Sequence, residues 1–524
     1  MKRFHYTLFL VVILSSCSGE PVLSEEISFE YDDNSLNEKI RKALDISYLK
    51  TIGIEGDRAD FLKSYYQNHR YKAVWVNDSS LTDLGERMKH TLECPEQLGV
   101  PPKRHTRPET FNFLHDEFLN TLMIAEIAPD LKEGVIDFEE NKKKSMKRAS
   151  SSDMDTILMF NTDSDLRLQF LRFGPRDTSY HVLGKGLVQL MDTYPMDTTT
   201  FDVASVKNDS VQNMKKAINA LMSKGYLTVE NDTAALIAAL KEFQKQNGLK
   251  VDGVVGKYTS KALNESTVHR RNRIILAMDK IRAREPRPER YICINIPEYK
   301  LRFYINDSLK SDHNIVIGTY ENQTPELTSK LRKIIAYPYW NVPYSISSKE
   351  ILPAQRSNSG YLERHNYTIY RNGEKVDPST VDWSKIRQTS FPFKVVQDPG
   401  RTNSLGIIKF DFPNSHSVYF HDTPSKALFR TDVRAYSHGC IRTQHPLDLA
   451  KAIIERDSDR KEDVETALDS LDSIMQRGQN REIKLKKQIP IFIEYVTAVR
   501  RGEEIITYID IYGRDDAFLS IMQE

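Results

Sequence analysis

The hydrophobic pattern changes its period near residue 290, and one fold cannot accommodate both regimes. Before that point apolar residues recur every three to four positions. Leu36, Ile40, Ala43 and Leu44 keep this spacing, as do Phe61, Leu62, Tyr65 and Tyr66, so each set marks one face of a helix. Beyond it, 291–296, 300–305, 314–317 and 333–337 are short apolar or alternating runs between turn residues, the pattern of strands. A chain of 524 residues also exceeds what a single hydrophobic core serves. The pattern predicts an α+β multidomain protein. A mostly helical scaffold occupies 35–200, a small helical domain 206–265, a basic connecting helix 269–288, a β-rich domain 290–475 and a C-terminal extension 476–524.

Within the scaffold, 73–76 reads as a short strand, 111–127 as an amphipathic helix and 141–153 as an exposed basic, Ser-rich loop. No catalytic constellation stands out there. In 206–265, Val211, Met214, Ile218 and Leu221 make one helix face and Ala235, Leu236, Ala239, Leu240 and Phe243 a second. The turn residues Gly248, Asp252, Gly253 and Gly256 then lead into a third short helix at 258–263. Strand periodicity is lost between Trp340 and Phe393, where Tyr, Ser, Asn and Arg dominate. An insertion that long is a lid or a disordered loop, and its aromatic content favours a lid. Further on, 464–475 reads as a helix, and 489–496 with 505–511 as a closing hairpin.

A formal net charge of +1 gives no reason to expect nucleic acid or another polyanion as partner. Lys2 and Arg3 precede the apolar run Leu8 to Leu14, which reads as a signal peptide over 1–16. In an exported protein the three remaining body cysteines, Cys94, Cys293 and Cys440, leave at least one free thiol. A Cys94–Cys293 disulfide is one option, but Cys293 lies in an apolar strand-like run and reads as simply buried.

That leaves Cys440, within Ser437-His438-Gly439-Cys440-Ile441-Arg442. His421 lies nineteen residues upstream, at the end of the alternating run 417–420, a spacing that lets two neighbouring strand ends bring the side chains together. A thiolate is the reactive form of cysteine, and an imidazole in reach is the base that generates it. Gly439 removes a side chain beside the sulfur, so backbone N–H groups can approach an oxyanion. Two blander readings stand beside this one: a small buried cysteine, and a metal site built from His416, His421, His438 and His445. The segment has no HExxH and no paired CxxC to support the metal.

These residues resemble the signature of the L,D-transpeptidases with a YkuD-type domain, in the long form of diderm bacteria. The resemblance is carried by His421-Asp422-Thr423-Pro424-Ser425-Lys426 and the Cys440 block, and by Tyr339-Trp340-Asn341-Val342-Pro343 and Gly360-Tyr361-Leu362-Glu363-Arg364-His365-Asn366-Tyr367. Val381-Asp382-Trp383 and Asn403-Ser404-Leu405-Gly406 complete it. It implies a mixed β-sandwich with a capping insertion at 340–393 over the site. It also implies Cys440 as nucleophile, His421 as general base and then acid, His438 as a site-shaping neighbour and the Gly439 and Cys440 backbone as oxyanion donors, joined by the Tyr419 hydroxyl. Tyr419, Arg442, Trp340 and Ser437 are the candidate substrate contacts, Arg442 meeting a stem-peptide carboxylate or forming a structural ion pair. Neither cofactor nor metal is required.

Phe243-Gln244, Asn247-Gly248-Leu249 and Asp252-Gly253-Val254-Val255-Gly256 with Thr259 resemble the small three-helix peptidoglycan-binding domain. Leu14-Ser15-Ser16-Cys17 resembles a lipobox, which implies lipidation at Cys17, a tether over 17–34 and membrane anchoring in the periplasm. The implied activity is formation of 3→3 cross-links between donor and acceptor stem peptides with release of terminal D-Ala, on a site that carbapenems acylate. Trimming of stems by water, a metal-dependent hydrolase on His421 and His438, and a non-catalytic wall-binding lipoprotein are the alternatives.

Overall fold

The computed structural model describes residues 36–149, 154, 164–205, 211–228 and 232–523. The segments expected as signal peptide and tether, with Cys17, lie outside these residues. The chain forms two compact units, one ending at Arg176 and the other covering Asp177–Ile521.

The first unit is built around the helix Phe113–Glu133. Its residues are buried nearly all round, so the one-sided amphipathic helix expected at 111–127 is instead a core helix. Glu117 is fully buried on it and accepts the amides of Val74 (2.8 Å) and Trp75 (2.7 Å) and the hydroxyl of Tyr66 (2.7 Å). Those amides are therefore not available to a ladder, and the strand expected at 73–76 reduces to a single bridge, Val76 to Leu81.

The second unit begins earlier than the pattern implied. The helix Thr178–Thr193, assigned to the scaffold by sequence, packs on Thr267–Ala283 and on the hairpin Ala498–Arg501 and Glu504–Thr507. A Cβ on Gly186 would lie 2.3 Å from Ile505 Cδ1, so a side chain there would force Ile505 to shift. The helix Thr267–Ala283 is basic, as expected, but it is not an exposed connector. Arg271, Arg273 and Arg282 are buried, and Lys280 pairs with Asp515 at 3.0 Å. Between these helices lie Val211–Ser223, Thr233–Gln246 and Lys257–Asn264, which enclose a core of Ala220, Leu221, Leu240, Phe243 and Leu263.

The β-rich domain is one nine-stranded mixed sheet. In chain order its strands are β1 (Arg290–Asn295), β2 (Lys300–Ile305), β3 (Ser308–Gly318), β4 (Leu327–Ala336), β5 (Ile408–Asp411), β6 (Phe420–His421), β7 (Ala435–Ser437), β8 (Ile441–Thr443) and β9 (Arg481–Glu494). They pair in the order β7-β3-β8-β6-β5-β4-β9-β1-β2. The long strand β3 also pairs with β2 through its first half, so the ladder closes on itself. Where the resemblance implied a sandwich, the strands form a continuous closed ladder around Ile292, Phe303, Ile317, Phe410, Phe420, Ile441 and Ile491. Strand β9 is parallel to β1 and antiparallel to β4. The boundary at 475 is thus corrected: 481–494 is an interior strand, and 505–507 pairs with 498–501 rather than with 489–496.

The insertion is a small domain in its own right. It carries a four-stranded sheet of Trp340–Asn341, Lys394–Gln397, Tyr367–Arg371 and Glu374–Val376. Its core is Val342, Ile351, Leu352, Leu362, Ile369, Phe391, Phe393 and Val395. Much of the aromatic content that suggested a lid surface is this core.

Candidate active site

Parallel pairing of β6 with β8 sets Phe420 beside Ile441 and His421 beside Arg442. Phe420 and Ile441 are fully buried in the core, so the alternation of strand side chains turns Tyr419, His421, Cys440 and Arg442 to the opposite face. On the other side of β6, Lys409 of β5 is the partner of His421 and joins the same face. Residues from three separate segments, Lys409, Tyr419 with His421, and Cys440 with Arg442, therefore converge because three short strands hold one register.

Cys440 is half-buried, and its thiol is held by Tyr419, through both the backbone N–H and the hydroxyl. Ser417 O lies 4.0 Å from Sγ. Ser417 takes a left-handed conformation (φ 57°) that the Asn414 side chain secures, accepting from the amides of His416 and Val418 (each 3.0 Å). Burial pushes the thiol pKa up, while Tyr419 and the charges of Lys409 and Arg442 pull it back. Tyr419 is pushed up in turn, first by burial and then by the sulfur it donates to, and Trp340 donates to its hydroxyl. Lys409 Nζ stands 4.0 Å from the centre of the Tyr419 ring and pairs with Asp411 at 3.0 Å.

His421 is buried, with Nδ1 against the backbone carbonyl of Asp422. Burial, then the Arg442 charge, lowers its pKa to about 3, so the imidazole is neutral at rest. It makes no hydrogen bond to the Cys440 thiol in this geometry, although the two share a face. The Asn403-Ser404-Leu405-Gly406 block braces it. Asn403 donates to the carbonyls of Pro338 (3.2 Å) and Asp398 (3.0 Å), and Asp422 accepts the Ile407 amide at 3.0 Å. Gly406 (φ 60°) leaves no room for a side chain, since a Cβ would meet Asp422 Oδ2 at 2.3 Å.

The remaining expected residues separate by role. Ser437 is buried, donates to Cys440 O (2.5 Å) and accepts the Gly439 amide (3.2 Å). It therefore sets the loop rather than touching a substrate, and the Gly439 N–H is occupied rather than open to an oxyanion. The Cys440 N–H, in contrast, has no acceptor among the described residues. His438 turns away, with Nε2 on Glu350 Oε1 of the insertion at 2.7 Å. Arg442 has neither an ion pair nor a hydrogen bond among the described residues, so the structural ion pair considered for it is absent. Trp340 is half-buried and joins the site through Tyr419.

Sequence reading missed Lys409, Glu350 and Thr324. The buried Thr324 hydroxyl donates to Gly439 O (2.9 Å) and accepts the Gly318 amide (2.9 Å). Tyr512, from the C-terminal extension, donates to Gly318 O (2.7 Å) and accepts the Thr324 amide (3.2 Å). Alternation along 408–411 was a usable signal for Lys409; Glu350 and Thr324 had none. Cys293 and Cys440 are free thiols, so the Cys94–Cys293 disulfide is not formed, and among the described residues no three His, Cys, Asp or Glu side chains are grouped to hold a metal.

Comparison with known proteins bears on this geometry. Residues 289–461 match the model of the YkuD family, described as the L,D-transpeptidase catalytic domain. Residues 207–263 match the family described as "Putative peptidoglycan binding domain". A Haemophilus influenzae protein named "Putative L,D-transpeptidase" is 34% identical over 225 residues, 43% of this chain and 44% of that protein, so the chain spans less than half the length of this relative. The solved L,D-transpeptidase (Yku) of Stackebrandtia nassauensis aligns with 50% of this chain and 91% of its own at 13% identity, with a TM-score of 0.19, too loose to carry an argument. Residues 289–461 are a YkuD-type L,D-transpeptidase catalytic domain, set in one chain with a domain of the peptidoglycan-binding family at 207–263.

Proposed function

We propose that the protein forms 3→3 cross-links in peptidoglycan through a thioester on Cys440. The observation that carries this is the shared face of Cys440, Tyr419, His421 and the unpaired Arg442. The resting pair is a neutral thiol and a neutral imidazole, so attack and proton transfer are coupled rather than sequential. As Sγ adds to the carbonyl carbon of the third stem residue, the thiol proton passes to His421. Tyr419 steadies the charge on sulfur, and the free Cys440 N–H meets the oxyanion. Collapse breaks the C–N bond; the proton on His421 goes to the leaving D-Ala amine. An acceptor amine then attacks the thioester and gives a proton to His421; the thiolate leaves and takes that proton back, so an amide cross-link and the neutral thiol remain. Water in place of the amine gives trimming on the same residues.

Arg442 supplies the charge for a stem-peptide carboxylate, because its own carboxylate partner is missing. The insertion, tied to the Cys440 loop by Glu350 and His438, forms a wall of the donor groove. Residues 207–263 hold the enzyme on its polymeric substrate, and Cys17 anchors it by lipid to the membrane on the periplasmic side. Incubation with disaccharide-tetrapeptide, followed by mass spectrometry, is the test. A dimer that has lost one D-Ala is expected; monomeric tripeptide alone would reassign the protein to trimming, and unchanged substrate would refute both.

A further inference from the structure

A second site lies among the helices of the same unit, distant in sequence from Cys440. Leu190, Tyr194, Lys224, Tyr226, Glu265 and Arg270 are among the residues that line a small open pocket of about 20 Å³, room for one small polar group rather than a whole ligand. Lys224 is 4% exposed, yet its ammonium has no ion pair and no hydrogen bond among the described residues. Two influences partly offset its burial: the Phe201 ring, 5.0 Å away, and the C-terminal end of the helix Val211–Ser223 that it follows. Glu265 and Asp197 raise its basicity only from beyond ion-pair distance, and Glu265 is already paired with Arg273 at 2.8 Å.

Arg270 adds a second cation. Its terminal nitrogens hold Tyr226 Oη (2.6 Å) and Gln246 Oε1 (3.2 Å), and its Nε is buried without an acceptor. Tyr194 stacks on Tyr226 at 5.1 Å to form an aromatic wall. A buried cation without a counter-ion is costly, and one that lines an open pocket is matched when an anion enters.

We propose that this pocket binds a carboxylate of peptidoglycan, with the Lys224 ammonium as its direct partner and the Tyr194–Tyr226 pair as its wall. The lactyl group of muramic acid and the stem-peptide carboxylates supply the same chemistry. Tyr194, Lys224 and Arg270 draw the site from three helical regions, and Tyr194 and Arg270 fall outside the matched segment 207–263. The proposal rests on the reading of that segment as a wall-binding domain.

The test uses the full chain carrying Cys440→Ala, so that binding is read without turnover. Thermal unfolding is followed with N-acetylmuramic acid, with the free-acid stem tripeptide and with N-acetylglucosamine, which lacks the carboxylate. One of the two acids should raise Tm, identifying the source, and N-acetylglucosamine should not. Adding Lys224→Met should weaken binding of that acid about tenfold or more, the loss expected for one charge-assisted hydrogen bond, without lowering Tm in its absence. Lys224→Gln, a second variant, should show the same loss of affinity. No shift with either acid, or full affinity in the variants, overturns the proposal. Sedimentation with whole sacculi separates the underlying reading: pelleting without any carboxylate effect condemns the pocket alone. A carboxylate effect without pelleting condemns the wall-binding role.

Discussion

His421 makes the chain's stability depend on pH. In the fold its imidazole stays neutral down to about pH 3, whereas in the unfolded chain it takes up a proton near 6.5. Between these values the unfolded state binds the additional proton, so this contribution is complete above 6.5 and is lost as pH falls. The slope reaches at most about 1.4 kcal/mol per pH unit. His115, lowered to about 4 by burial, acts in the same window and is untouched by a substitution at His421. His421→Gln should therefore reduce, but not abolish, the difference between denaturant midpoints at pH 4 and pH 7. An unchanged difference would mean that the imidazole is not buried and neutral. Tyr419→Phe removes the hydroxyl that steadies the sulfur. Loss of one charge-assisted hydrogen bond, about 1.5–3 kcal/mol, corresponds to roughly one to two pH units for the thiol. The pH midpoint of Cys440 alkylation by iodoacetamide should rise by that amount; an unmoved midpoint would remove Tyr419 from this role.

At the level of elements, the site depends on loops that hold short strands in register. Gly406 shows this most directly, because its left-handed backbone and the 2.3 Å approach to Asp422 both exclude a side chain. Gly406→Ala should destabilise the protein by roughly 1–3 kcal/mol and slow acylation as His421 shifts with Asp422. Wild-type stability with wild-type acylation would show that the loop does not position the base. The same elements explain what was legible in the sequence. Cys440, His421 and Tyr419 could be read because period-two alternation projects them onto one face of adjacent strands. Hydrogen bonds could not. Nothing in Ser437-His438-Gly439 reveals that Ser437 captures the Gly439 amide, and so the oxyanion role passes to the Cys440 N–H. Similarly, apolar spacing at 111–127 fits one helix face, but the structure surrounds that helix on all sides.

For the whole molecule, the recurring lesson is that distant segments complete local structures. Residues 481–494 read as a tail, yet β9 fills the gap between β4 and β1. Tyr512 reaches the loop beneath Gly439 through Thr324. Pairing over such separations leaves no trace in local periodicity, which is why the sequence pattern did not show that 178–193 and 481–494 join the second unit. A chain ending at residue 475 should therefore fail to yield a cooperatively folding catalytic domain. A soluble, carbapenem-reactive product of that truncation would show β9 to be dispensable.

The central claim concerns one bond, the thioester on Cys440. Mixing with disaccharide-tetrapeptide, acid quenching within the first turnover and intact-mass analysis would observe it directly. The wild type should gain the mass of a disaccharide-tripeptide acyl group, the free compound less one water, mapped to the peptide containing Cys440, with one D-Ala released per adduct, and Cys440→Ala should gain nothing. Release of D-Ala by Cys440→Ala, or by a wild type that never carries the adduct, would contradict the account.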